Sequence, residues 1–206
     1  GSGGSSLSGK TLVALKDAGF GPLPGRPRLW FLDNVDPATF EALAQRLPLE
    51  RTGFLPISKS GGTPETLTAL FTVLAALEAR VGAAAMARHV LAITEAADNP
   101  LRRLATRLGF TVLDHDPKVG GRYSALSLVG LLPAMIAGID PVALREGAAS
   151  VLDPVLAARE ASGLAPAIGA ALSVGLAKER GVNITVMMPY VDRLETFAMW
   201  YRQIWA

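Results

Sequence analysis

Ser58, Lys59, Ser60 and Thr63 crowd around a glycine pair in the run Ser58-Lys59-Ser60-Gly61-Gly62-Thr63-Pro64-Glu65-Thr66. The apolar stretch Phe54-Leu55-Pro56-Ile57 precedes it, and the helical pattern Leu67, Leu70, Phe71, Leu74, Leu77 follows. A strand, a hydroxyl-rich glycine loop and a helix N-terminus in that order make a site for an anion. The free N–H groups of the first turn and the positive end of the helix dipole favour negative charge, by a few tenths to ~1 kcal/mol when exposed. Thr63 reads as the N-cap, Pro64 as the first helical residue and Glu65 as an acidic residue of the first turn. A phosphate fits such a loop, and so does an ordinary capped strand–helix turn with no ligand.

Two other groups of residues could do chemistry. Gly4-Ser5-Ser6-Leu7-Ser8-Gly9-Lys10-Thr11 matches the phosphate-cradling pattern G-x-x-x-x-G-K-[ST] at every fixed position. Leu29-Trp30-Phe31-Leu32-Asp33 is similar to the apolar strand that ends in the magnesium-binding aspartate of such proteins. A nucleotide hydrolase built on Gly4–Thr11 is therefore the competing function, although it explains nothing after residue 33. Arg122 follows Gly120-Gly121 at the mouth of an uncharged segment. A guanidinium is always protonated and offers five planar donors, so this position suits an oxyanion or a developing enolate. An exposed arginine in a turn is the plainer alternative.

The elements that must position these residues read from proline, glycine and apolar spacing. Leu7, Leu12, Val13 and Leu15 begin a helical run directly after the first glycines. After the Gly/Pro-rich turn Gly19 to Pro27, strands are expected at 28–32, 53–57, 89–94 and 110–113. Helices are expected from Pro37 to Gln45, from Pro64 to about Arg80, and from Pro100 to the residue before Gly109, a glycine in the C′ position. From Tyr123 an uncharged helix runs to Gly138. Helices follow from Pro141 to about Glu160 and from Pro166 to Arg180, then a strand at 183–188. Asp192 caps a terminal helix carrying Leu194, Phe197, Tyr201, Ile204 and Trp205. The fold class is thus α/β: three layers, with a mostly parallel sheet of about five strands covered on both faces by helices. In such sheets ligands bind at the carboxyl ends of strands, where residues 58–66 lie.

Composition narrows the function. With 206 residues the chain can bury a substantial core as one large domain. The net charge is +2 with scattered basic residues, which gives little support to nucleic-acid binding. Cysteine is absent and only His89 and His115 are histidines, which argues against disulfides, thiolate sites and a multi-histidine metal centre. The two histidines read as strand-start and loop residues. No signal peptide or spanning segment is expected, because Gly1 to Ser6 lacks a basic or apolar run and Tyr123 to Ile139 is short and interrupted. A cytoplasmic setting follows from the same features.

Val119-Gly120-Gly121-Arg122-Tyr123-Ser124, running on through Val129-Gly130-Leu131-Leu132-Pro133, resembles the signature of the glucose-6-phosphate isomerase family. Three further segments are similar to that family in the right order. Gly1 to Gly9 resembles its first glycine loop, and Ser58 to Thr66 the phosphate loop of its sugar-isomerase domain. Met188-Pro189-Tyr190 through Trp200-Tyr201-Arg202-Gln203-Ile204-Trp205-Ala206 resembles the segment leading to its catalytic glutamate.

The resemblance implies one sugar-isomerase domain over 1–206, with flavodoxin-like layering and a helix-rich second half at 114–206. It also implies an enzyme interconverting glucose 6-phosphate and fructose 6-phosphate through a cis-enediol, with no metal or organic cofactor. By it, Gly4 and Ser5 line the sugar site, Ser58, Lys59, Ser60 and Thr63 hold the phosphate, and Lys59 acts mainly through its backbone N–H. Gly121 and Arg122 face the reacting carbons, Arg122 stabilises the enediol charge, and Gln203 contacts the sugar. The catalytic glutamate is expected just after Ala206, a strand before Gly1, and a histidine and lysine from later segments. The 206 residues alone are then expected to be inactive, and the parent enzyme to be a homodimer. A noncatalytic phosphosugar-binding module would share the 58–66 loop but has no need of the arginine signature or the Gln203 segment.

Overall fold

Proline behind an oxygen acceptor starts three of the helices. In α2 (Pro37–Ala44) the Asp36 carboxylate accepts from Ala38 N at 3.1 Å and from the Thr39 hydroxyl at 2.5 Å. The Thr39 hydroxyl, then the Ala38 N–H, hold that carboxyl below the usual aspartate range. In α5 (Pro100–Leu108) Asn99 Oδ1 accepts from Arg102 N at 2.9 Å, and Gly109 closes the helix in the left-handed region at φ 76°. In α7 (Pro141–Ala157) Asp140 accepts from Val142 N at 2.8 Å. Each pairs an N-terminal acceptor with a residue whose missing N–H costs nothing there.

The computed structural model describes residues 2–17 and 20–205; Gly1, Ala18, Gly19 and Ala206 lie outside the described residues. The other helices are α1 (Gly3–Asp17), α3 (Pro64–Val81), α4 (Ala83–Met86), α6 (Leu128–Ile136), α8 (Ala165–Arg180) and α9 (Glu195–Trp205). Strands β1 (Leu91–Thr94) and β2 (Thr111–Asp114) pair in parallel, with Leu91 opposite Thr111 and Thr94 opposite Asp114. Adjacent β1 residues face opposite ways. Ala92 packs with Leu70, Leu74 and Leu77 of α3 and Leu101 and Ala105 of α5, whereas Ile93 packs with Ile57 and Val129 of α6. Helices therefore cover both faces of the small sheet, which explains its fully buried central residues.

The sheet is smaller than the sequence predicts. Among the described residues it has two strands, and the expected five-stranded sheet is not formed. Residues 54–57 lie beside β1 but contribute only isolated parallel bridges, Phe54 to Val90 and Ile57 to Ile93. The cause is Pro56. Phe54 N donates to His89 O, Leu91 N to Phe54 O, Ile93 N to Pro56 O and Ser58 N to Ile93 O. The one rung missing from that ladder would need an N–H at Pro56, which proline lacks.

The expected strand at 28–32 is not formed, and the segment lines with 54–57 a cleft of about 1090 Å³. The expected strand at 183–188 is likewise not formed; the segment is exposed and unpaired. Helix expectations shift as well: Asp192 caps no helix but opens a 3₁₀ turn, Asp192–Leu194, and α9 starts after it at Glu195. The uncharged run divides into a 3₁₀ segment, Gly121–Leu126, and α6, because Ser127 stops one and caps the other by accepting from Val129 N. The helix from Pro141 ends at Ala157.

Neither α7 nor α8 buries a side chain, and Leu156, Ile184 and Tyr190 are 74%, 78% and 90% exposed. Among the described residues no helix is long and apolar enough to cross a membrane. At Gly130 in α6 a Cβ would sit 2.2 Å from Ala125 O, a backbone atom that cannot step aside. Gly130→Ala is expected to cost about 1–3 kcal/mol through overpacking, a fall of several degrees in a thermal melt.

Candidate functional site

The amino end of α1 lies against the 3₁₀ segment that begins at Gly121. A Cβ on Gly4 would sit 2.5 Å from both Arg122 Cα and Arg122 N, and 2.8 Å from Gly121 C. Only glycine allows that approach. Two fully buried hydroxyls hold it: Ser8 donates to Gly4 O at 2.8 Å, Ser124 donates to Gly121 O at 2.6 Å, and their oxygens are 3.3 Å apart. From α9, Trp200 Nε1 donates to Arg122 O at 2.9 Å, and Thr11 Oγ1 donates to Thr196 O at 3.2 Å. The Arg122 backbone is thereby fixed from two sides. Its side chain is exposed, and among the described residues its guanidinium has no ion-pair partner.

Gln203, on the same face of α9 as Trp200, places Oε1 3.7 Å from where a Cβ on Gly3 would be. Ser5 donates to Ser2 O at 3.1 Å, a bond within the first turn of α1. Gly4, Ser5, Gly121, Arg122 and Gln203 are thus gathered at one place. Residues 4–11 form helix throughout, so they are no phosphate-cradling loop, and Lys10 Nζ bonds Asp33 Oδ2 at 2.5 Å together with the Ser6 hydroxyl at 3.0 Å. That overturns the nucleotide-hydrolase reading: the lysine and aspartate it needs are paired with each other, and the residues that should form a phosphate-cradling loop are wound into helix.

The second group lies at the carboxyl ends of the strands. Ser58 is buried and its hydroxyl meets the Thr63 hydroxyl at 2.8 Å. Thr63 holds the N-cap position of α3 with extended backbone, but its side chain makes no capping bond, contrary to expectation. Its hydroxyl is drawn to Ser58 instead, and that leaves first-turn N–H groups of α3 free to face an anion. Ser60 is exposed and its hydroxyl accepts from Gly62 N at 3.3 Å. Gly61 has φ 63°, and a Cβ there would collide with Asn99 Oδ1 at 1.8 Å. Lys59 directs its ammonium to Pro117 O at 2.6 Å, on the loop that leads to Gly121.

Sequence reasoning missed Ser8, Ser124, Trp200 and Asn99. Ser8, Ser124 and Trp200 stand inside segments that carry the resemblance, and Asn99 precedes a proline at a helix start. Their contacts nonetheless act across distances in the chain that no local pattern spans.

The chain is thus a parallel α/β unit with a hydroxyl-rich turn at its strand ends, the place where such sheets bind ligands, and an arginine on a neighbouring loop. The chain belongs to the phosphoglucose isomerase family, whose model matches residues 1–205. It is 39% identical to a glucose-6-phosphate isomerase of Rubrobacter xylanophilus, a match covering 100% of this chain and 48% of the relative. With the glucose-6-phosphate isomerase of Thermus thermophilus the identity is 37%, over 99% of this chain and 46% of that protein.

Among solved structures, a hypothetical protein from Thermus thermophilus superimposes with a TM-score of 0.83 at 35% identity, over 99% of this chain and 46% of its own. A glucose-6-phosphate isomerase from Chlamydia trachomatis gives 0.80 at 25% identity, over 98% of this chain and 38% of its own. The chain spans about half the length of the curated relatives it matches.

Gly4→Ala is expected to destabilise the chain by about 1–3 kcal/mol, because α1 and the Arg122 backbone must separate. Gly147→Ala, in open space on α7, is expected to stabilise it by about 0.5–1 kcal/mol. Paired thermal melts read both signs.

Proposed function

We propose that this chain is the phosphate-anchoring and arginine-bearing part of a cytoplasmic glucose-6-phosphate isomerase, organised as one sugar-isomerase domain. The observation that carries the reading is the approach of Gly4 to Arg122, which brings the amino end of α1 and the arginine signature side by side. The substrate's phosphate binds at Ser58, Ser60, Thr63 and the N–H groups of the 59–65 turn, where hydroxyl donors and a helix N-terminus coincide. The sugar end reaches Gly4, Ser5, Gly121 and Gln203.

The chemistry is a proton transfer between C2 and C1. A carboxylate removes the C2 proton, and the C1 carbonyl oxygen gains negative charge and is protonated as the cis-enediol forms. The same group returns its proton to C1 while the C2 hydroxyl gives up its proton to become the new carbonyl. Arg122 supports this by placing a permanent positive charge where that oxyanion develops. Its backbone is held by Trp200 and α1, so the main chain need not move for the exposed guanidinium to meet that oxyanion. The resemblance assigns the proton-shuttling glutamate to the position after Ala206. The 206 residues expressed alone are accordingly expected to bind substrate weakly without turning it over, and the parent enzyme is expected to act as a homodimer.

Calorimetric titration of the 206-residue chain tests the reading. Fructose 6-phosphate is expected to bind, and Arg122→Ala to weaken it about tenfold while sparing inorganic phosphate, as suits the loss of one charge-assisted hydrogen bond at the sugar end. Ser58→Ala combined with Thr63→Ala weakens both ligands. Tight, magnesium-dependent ATP binding lost on Lys10→Ala would refute the assignment.

A further inference from the structure

Lys59 is the basic residue of the phosphate loop, yet its ammonium is committed elsewhere. It donates to Pro117 O at 2.6 Å and lies 3.6 Å from Glu95 Oε1. These partners sit on different loops: Lys59 follows the 54–57 segment, Glu95 follows β1 and Pro117 follows β2. The Lys59 carbonyl joins the same arrangement, accepting from Glu95 N at 3.1 Å and from the Thr94 hydroxyl at 3.2 Å. One residue therefore clasps the carboxyl ends of three neighbouring chain segments.

The loop it grips is stiff enough to transmit the grip. His115 is 3% exposed; its N–H donates to Thr94 O at 2.8 Å and its Nδ1 lies 2.8 Å from Asp116 O. Asp116 then accepts from Lys118 N at its side chain, 2.8 Å, and from Val119 N at its carbonyl, 3.1 Å. Gly120 alone separates that turn from Gly121 and Arg122. On the other side Arg102 Nε donates to Glu95 O at 2.9 Å, and its Nη2 bonds Asp114 Oδ1 at 2.5 Å. Glu95 is thus held where its charge orients Lys59, and Lys59 offsets a carboxylate that would otherwise repel an anion in the adjacent loop.

We infer that Lys59, oriented by Glu95, is a positioning residue that straps the phosphate loop to the Arg122 loop and sets the span between them, and with it the length of phosphosugar the cleft accepts. The inference rests on the proposed function for its ligand but on hydrogen bonds alone for the strap. A lysine serving chiefly as a phosphate ligand would be free of Pro117.

Hydrogen exchange and calorimetry on the 206-residue chain separate the possibilities. In Lys59→Met, amide exchange across 118–123 is expected to quicken about fivefold or more as the loop is released. Lys59→Arg, which keeps charge and donors, returns it to the wild-type rate, and Glu95→Gln gives a smaller increase and stands in should Lys59→Met fail to fold. Affinity for fructose 6-phosphate is expected to fall about tenfold more than affinity for inorganic phosphate, because only the sugar must reach both loops.

Unchanged exchange in Lys59→Met would overturn the strap. So would an equal loss for the two ligands, which marks a direct phosphate contact. If the wild-type chain binds neither ligand, the proposed function fails and the exchange rates alone decide the strap.

Discussion

The site depends on a steric allowance at Gly4. An α-helix ordinarily keeps another backbone at the distance its side chains dictate. Here a hydrogen replaces the side chain, and the Arg122 backbone enters the space a Cβ would fill. Two buried serine hydroxyls satisfy the polar groups brought together by that contact, and an indole N–H takes the remaining arginine carbonyl. What results is an arginine whose main chain is tethered and whose guanidinium stands clear. The tether fixes where the side chain starts and leaves its five donors unspent, so a ligand's charge has only the side chain itself to order.

Around this contact the strand ends carry the second part of the proposed site, a loop offered to a permanent anion. The 58–63 loop has two features that a simple helix cap lacks: hydroxyls paired with each other, and a left-handed glycine pressed against Asn99. The Asn99 side chain in turn caps α5, so the shape of the anion loop and the start of a core helix are tied through one amide. Binding and core packing are not separable here.

Much of this was legible in the sequence, and the rest was not for physical reasons. Asp36-Pro37, Asn99-Pro100 and Asp140-Pro141 announce helix starts because the needed partners lie within three residues. The buried strand β1 and its parallel partner were equally plain. The third strand failed at Pro56, whose consequence depends on which side a neighbour lies, and apolar pattern alone cannot tell that. Residues 28–32 and 183–188 have strand composition without a strand's neighbours. In the site, Arg122 and the 58–63 hydroxyls declare themselves by type. The meaning of Gly4 required its meeting with a residue more than half the chain away. The G-x-x-x-x-G-K-[ST] match misled because a pattern of spacings says nothing of conformation, and those residues fold as helix with Lys10 bound to Asp33.

The placement of α1 also bears on the order of assembly. The region from α3 through β2 is built from segments adjacent in the chain, so its core can close soon after it leaves the ribosome. α1, made earlier, packs on the Gly121–Leu126 segment, α6 and α9. Its buried serines and Thr11 therefore wait for partners through most of translation. Loop-closure entropy makes such distant pairings slow, and the arginine site is among the last parts of the chain to take shape.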